Sequence, residues 1–121
     1  MARILLAEKD DILRRFLVTS LRRAGHAVDA VTEGPAVMAA IAPGPGSYDL
    51  LLVNLLMPGL DEVELARRVM SRAPHIRILF ITGFAVVAVT RQYPRRPETR
   101  VLSKPFHLRE LIGQIEKVLA A

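Results

Sequence analysis

Residues 3 to 7, Leu50 to Val53 and Ile76 to Ile81 are almost uninterrupted aliphatic runs, each followed after a turn by a segment whose apolar residues recur at helical spacing. A strand that is apolar on both faces needs helices on both faces. This alternation constrains the chain to an α/β domain whose strands pair in parallel through right-handed crossovers.

The helical segments have recognisable ends. Ile12, Leu13, Phe16, Leu17 and Leu21 predict a first helix over about Asp11 to Ala24, stopped at Gly25. His26 to Val31 alternates as a second strand, and Pro35 opens a short helix through about Ile41. Residues 43 to 47, rich in Pro and Gly, form a loop. Asn54 ends the third strand. Asp61 and Glu64 have capping-box spacing before a helix carrying Val63, Leu65, Ala66, Val69 and Met70. The Val-rich segment 85 to 92 is expected as a weak helix, Tyr93 to Thr99 as irregular, and Val101-Leu102-Ser103 as a short fifth strand. Leu108, Leu111, Ile112, Ile115, Val118 and Leu119 mark a closing helix. The expected whole is five strand–helix units in a single domain over residues 1 to 121.

Composition narrows the function classes. Hydrophobic residues make up 51% of the chain, so disorder is excluded, and the absence of Cys rules out disulfides, thiolate metal sites and cysteine nucleophiles. No apolar stretch reaches bilayer length, and the apolar start runs directly into Glu8-Lys9-Asp10-Asp11, so a cytoplasmic protein without membrane contact is expected. The net charge of +5 favours encounters with acidic partners. Nucleic-acid binding is not expected, because neither a helix-turn-helix nor an aromatic–basic platform is evident. His26, His75 and His107 have no metal-site spacing and are taken as surface or structural residues. Arg14-Arg15, Arg22-Arg23 and Arg67-Arg68 are expected on the solvent faces of their helices.

Polar residues follow the buried strands: Glu8 and Lys9 after the first, Asn54 after the third, Thr82 after the fourth, Ser103 and Lys104 after the fifth. A single polar residue after a strand is ordinary loop. Four such positions converge on one pocket at the carboxyl edge of a parallel sheet.

The order and separation of these residues, with Asp49 to Asn54 followed by Met57-Pro58-Gly59, then Ile81-Thr82-Gly83 and Lys104-Pro105-Phe106, resemble the response-regulator receiver domain along essentially the whole chain. The resemblance implies a flavodoxin-like, doubly wound five-stranded parallel sheet of order 2-1-3-4-5, the CheY-like fold. It also implies a role in two-component or phosphorelay signalling. In the family, two acids after the first strand and an Asp after the third hold Mg²⁺, the third-strand Asp accepts a phosphoryl group, and Thr and Lys bind the phosphoryl oxygens. Thr82 and Lys104 match those sensing positions. Pro105 matches a proline preceded by a cis peptide.

The acids do not match. Glu8, Lys9 and Leu56 stand in a degenerate metal pocket, and Asn54 replaces the phosphoacceptor. One carboxylate and two lysines replace three carboxylates and one lysine, so the pocket changes from net negative to net positive. Mg²⁺ is expected not to bind, or only weakly, and no phosphorylation at Asn54 is expected. Lys9 either lies where the metal would be, paired with Glu8, or points to solvent. Asn54 is expected to bond Lys104 or Thr82. A shifted register using Asp10 is rejected, since it would rotate Asp10 onto the first helix. Val101 stands where many receivers carry a switching aromatic residue, so no such switch is expected.

The reading is therefore a non-enzymatic pseudo-receiver acting by protein contact. Residues 80 to 84 and 101 to 111 resemble a group of single-domain receivers that act, unphosphorylated, as adaptors for the ClpXP protease, so ClpXP components or a sensor kinase are the implied partners. Tyr93, Arg95, Arg96, Arg100, Val101 and Phe106 form a candidate interface, for an acidic partner or for a homodimer through the face between the fourth and fifth helices. Leu119-Ala120-Ala121 resembles a ClpX-recognised tail, or is the Ala-rich end of a helix. The rival readings are a working receiver using Asp49, Asp10 or Asp61, and a basic nucleic-acid-binding module drawn by the net charge of +5.

Overall fold

A computed structural model of the chain describes residues 2–41, 48–54, 62–81, 85–89, 98–101 and 108–120. Its elements are β1 (Arg3–Ala7), α1 (Asp11–Arg23), β2 (Ala27–Val31), α2 (Gly34–Ile41), β3 (Leu50–Asn54), α3 (Glu62–Arg72), β4 (Arg77–Ile81), β5 (Ala85–Val89), β6 (Glu98–Val101) and α4 (Leu108–Ala120).

The strands β2, β1, β3 and β4 lie side by side in that order and pair in parallel, with Leu5 between Asp29 and Leu51, and Leu52 beside Leu79. The fold is a flavodoxin-like α/β sheet. Each central strand divides its side chains between two layers, as the two-residue repeat of a strand requires. Leu5, Ala7, Leu51, Val53, Ile78 and Phe80 pack with Val37 and Ile41 of α2 and Leu65 and Val69 of α3. Ile4, Leu6, Leu50, Leu52, Leu79 and Ile81 pack with Leu17 and Leu21 of α1 and Leu111 and Ile115 of α4. The sheet is thus clad on both faces, and its core strands can be wholly apolar.

Helix α1 ends as its sequence dictates. Gly25 takes a positive φ of 100°, its N–H bonds to Arg22 O at 3.0 Å, and His26 N–H bonds to Leu21 O at 3.1 Å. This pair of bonds satisfies the last carbonyls of the helix and turns the chain into β2.

The fifth unit departs from expectation. The segment expected as a weak helix over 85 to 92 contains strand β5, which pairs antiparallel with β4, and β6 pairs antiparallel with β5. Among the described residues the sheet therefore has six strands, and only its first four follow the expected parallel order. Ala85-Val86-Val87-Ala88-Val89 is a short run dominated by a β-branched residue, whose stiff side chain suits a pleated surface better than a helix. Glu98 and Thr99, expected as irregular, belong to β6 with Arg100 and Val101. Leu102 and Ser103 lie outside the described residues. Between β4 and α4 no helix occurs among the described residues, so the expected dimer face between a fourth and a fifth helix is replaced there by β5 and β6.

Helix α4 runs through Leu119 and Ala120, and Leu119 packs against the core, as the Ala-rich helix-end reading of the tail requires. No helix among the described residues is long and apolar enough to cross a membrane.

Candidate functional site at the carboxyl edge of the sheet

Strand β1 delivers Glu8 to the carboxyl edge one residue beyond Ala7, and β3 delivers Asn54 one residue beyond Val53, the partner of Ala7 in the ladder. Asn54 in turn lies opposite Ile81 of β4. The register thus sets Glu8 and Asn54 at matching levels on neighbouring strands, next to the strand end that precedes Thr82. Leu56, Thr82, Lys104 and Pro105 lie outside the described residues, as do Tyr93, Arg95, Arg96 and Phe106 of the candidate interface. Arg100 and Val101 fall on β6.

Glu8 is 2% exposed. A carboxylate so buried must be compensated. Its Oε2 accepts from Asp10 N–H at 3.0 Å, and its own N–H donates to Val31 O at 3.0 Å. Lys9, next in sequence, is exposed. Of its two sequence-level alternatives, the structure takes the solvent-facing one: among the described residues no ion pair joins Lys9 to Glu8. Hydration of the ammonium outweighs the attraction, since burying both charges would cost several kcal/mol per ion (roughly).

Asp10 is committed elsewhere. It is the N-cap of α1, its Oδ1 accepting from Leu13 N–H at 2.8 Å. The rejection of a shifted register is consistent with this geometry. Replacing Asp10 by Ala removes both that cap and the favourable charge at the helix start, so Asp10→Ala is expected to cost about 1 kcal/mol, read as a lowered melting temperature.

Sequence reasoning missed Arg14. Expected on a solvent face, its guanidinium instead reaches back over the β1–α1 loop, Nη1 donating to Glu8 O and Lys9 O at 3.2 Å each, and Nη2 to Asp11 Oδ1. The same guanidinium holds the Asp11 carboxyl below its ordinary pKa, by hydrogen bond first and by charge second. Spacing was the available signal, for Arg14 follows Asp11 by one helical turn. Arg22 lies on an exposed face as expected and also donates from Nη2 to Val28 O at 2.8 Å, and Arg67 and Arg68 lie on an exposed face too, both paired with Glu64.

Two further residues correct the sequence reading of α1. Ile12 is 83% exposed and Phe16 54% exposed, although both belong to the apolar repeat that predicts the helix. The buried side of the helix is Leu17, Ser20 and Leu21. Ile12 and Phe16, four residues apart, share a solvent face directly after the Glu8–Asp10 loop.

Asp49, an alternative acceptor in the rival reading, sits at the opposite end of β3, where its Oδ2 accepts from Arg3 N–H at 2.8 Å. Asp61 lies outside the described residues. Among the described residues no three acidic or histidine side chains gather in a group able to hold a metal ion.

Comparison with known proteins agrees with this architecture. The family described as the response regulator receiver domain matches residues 4–116. The response regulator receiver protein CpdR of Brucella abortus (strain 2308) is 46% identical, over 100% of this chain and 99% of that protein. Among solved structures, the receiver domain of the hybrid histidine kinase CckA superposes with a TM-score of 0.76 at 24% identity, covering 97% of this chain and 98% of that one. A complex of the histidine kinase ThkA with the response regulator TrrA gives 0.75 at 24% identity, covering 98% and 99%.

Proposed function

The chain belongs to the response regulator receiver domain family, and from that premise we propose that it is a pseudo-receiver, a stand-alone cytoplasmic signalling protein that acts by protein contact. The observation that carries this reading is the donor set at the carboxyl edge. Glu8 keeps a carboxylate, but an exposed ammonium follows it, Asp10 is spent as a helix cap, and β3 ends in an amide at Asn54. Mg²⁺ demands several hard, preferably anionic oxygens in near-octahedral array. These residues do not fit it. The Asn54 carboxamide also lacks the nucleophilic oxygen that an acyl phosphate requires, so no catalytic residue is assigned and the protein is read as a non-enzyme.

Contact then has to do what a covalent mark does elsewhere. Ile12 and Phe16 supply an exposed apolar pair beside the pocket loop, and a large aromatic side chain of this kind is a favoured anchor at protein interfaces. A sensor kinase is one partner class the family implies. The likeness to CpdR, together with the adaptor behaviour of the group it resembles, favours ClpXP protease components, with the amide at position 54 keeping the chain in the unmodified, adaptor-competent form.

Intact-mass measurement after incubation with Mg²⁺ and acetyl phosphate is expected to return the unmodified mass; a gain of one phosphoryl group would overturn the reading. For the partner, Ile12→Glu with Phe16→Glu should weaken capture of purified ClpX or of the cognate sensor kinase by at least about tenfold while leaving the melting temperature unchanged. Undiminished capture would place the contact on another face.

A further inference from the structure

At the opposite, amino-terminal edge of the sheet the chain forms an open cavity of about 390 Å³, within the size range of small-molecule sites. Its wall is built by Arg3 at the start of β1, Arg22 near the end of α1, His26, Val28 and Asp29 at the start of β2, and Tyr48 before β3. Strand β1 separates it from Glu8 by about 17 Å, the rise of five extended residues.

The lining is rich in donors. The Arg3 guanidinium lies 5.7 Å from the Tyr48 ring centroid, and Arg22 spends Nη2 on Val28 O, leaving the rest of its fork for another acceptor. His26 is fixed in its tautomer, because Nδ1 accepts from Ala2 N–H at 3.3 Å. The ring proton therefore sits on Nε2, a buried donor that finds no acceptor among the described residues. Leaving such a donor unmatched is costly, and buried polar groups are nearly always satisfied. The acceptor side is sparse. Asp29 already takes the Tyr48 hydroxyl at 2.7 Å, and burial first, then this contact, raises the tyrosine pKa.

We propose that this cavity binds a small organic anion, its carboxylate or phosphate oxygens taken by Arg3, Arg22 and His26 Nε2–H and its body laid along Tyr48. Two guanidiniums against one carboxylate leave the wall net positive, which selects an anion, while Asp29 disfavours guests carrying several charges and can accept from a guest hydroxyl. Guanidinium forks match planar oxyanions, and an aromatic wall beneath Arg3 holds that fork in place.

The test is an NMR titration of the full chain with three probes at constant ionic strength: benzoate, phenyl phosphate and, as the neutral counterpart, benzyl alcohol. Saturable shifts at the amides of Ala27, Val28 and Asp29 and at the His26 ring are expected with one or both anions and absent with benzyl alcohol. Which anion binds more tightly identifies the oxyanion class. Arg3→Gln, at an exposed position, should weaken binding about tenfold or more, and Arg22→Gln should do the same, whereas Lys9→Gln at the far edge should change nothing. No saturation by either anion up to about 10 mM, or equal binding to the Arg3→Gln protein, would overturn the assignment.

Discussion

Replacing Lys9 and Asn54 together by Asp is expected to yield a protein that binds Mg²⁺ and takes up a phosphoryl group from acetyl phosphate. Each substitution supplies something different. Lys9→Asp removes a cation next to Glu8 and adds a second oxygen ligand after β1, whereas Asn54→Asp adds both a ligand and the attacking oxygen at the end of β3. A unit charge about 4 Å from a dication, at an effective dielectric near 20, is worth several kcal/mol, and about 1.4 kcal/mol is a factor of ten. A gain in Mg²⁺ affinity of at least about a hundredfold should follow, even after screening at a partly open edge. The single variants separate the two effects. Lys9→Asp alone should bind the ion better without being labelled, because no carboxylate stands at position 54. Asn54→Asp alone should label slowly, because its metal lacks a ligand. Asp49→Asn added to the double variant should change neither property, since Asp49 lies at the other end of β3. Calorimetric Mg²⁺ titration and intact mass check these outcomes, and an inert double variant would refute the account of the pocket.

The residues that decide this experiment are legible in the sequence. Strands buried on both faces announce themselves as aliphatic runs, and a polar residue ending each run marks the carboxyl edge, so β1, β3, β4 and the positions of Glu8 and Asn54 followed from pattern. Three things did not. The run Ala85–Val89 has no alternation, and periodicity alone cannot distinguish a short apolar helix from a strand; the β-branched content was the better guide. Ile12 and Phe16 fit the helical repeat of α1 as well as Leu17 and Leu21 do, but an apolar stripe wider than the face the sheet can cover leaves its margin in water. Arg14 reads as surface charge because sequence shows a side chain's charge and not its reach, and its stem is long enough to return to carbonyls of its own neighbourhood. The cavity at the amino edge was invisible for a related reason. Arg3, Arg22, His26 and Tyr48 are brought together only by the pairing of β1 with β2 and β3.

Phe80, buried, and Phe16, exposed, should respond to the same truncation with very different losses of stability. Phe80 in β4 is 1% exposed and sits in the layer between the sheet and helices α2 and α3, against Leu51, Val53, Leu65 and Val69. Its removal both forfeits the ring's buried apolar surface and opens a cavity that the flanking strands, fixed by ladders on each side, cannot close. Phe80→Ala is expected to cost about 3–5 kcal/mol, a large part of the roughly 5–15 kcal/mol that holds a domain folded. At this chain length that is a fall in melting temperature on the order of 10–20 °C. Phe16→Ala removes the same ring from a position already 54% exposed, so it should move stability by no more than about 1 kcal/mol. Denaturant and thermal melts of the two variants decide the matter. A severe loss from Phe16→Ala would show that the α1 face is covered, and would remove it as a docking surface; a mild loss from Phe80→Ala would mean that α2 and α3 do not close over the sheet as described.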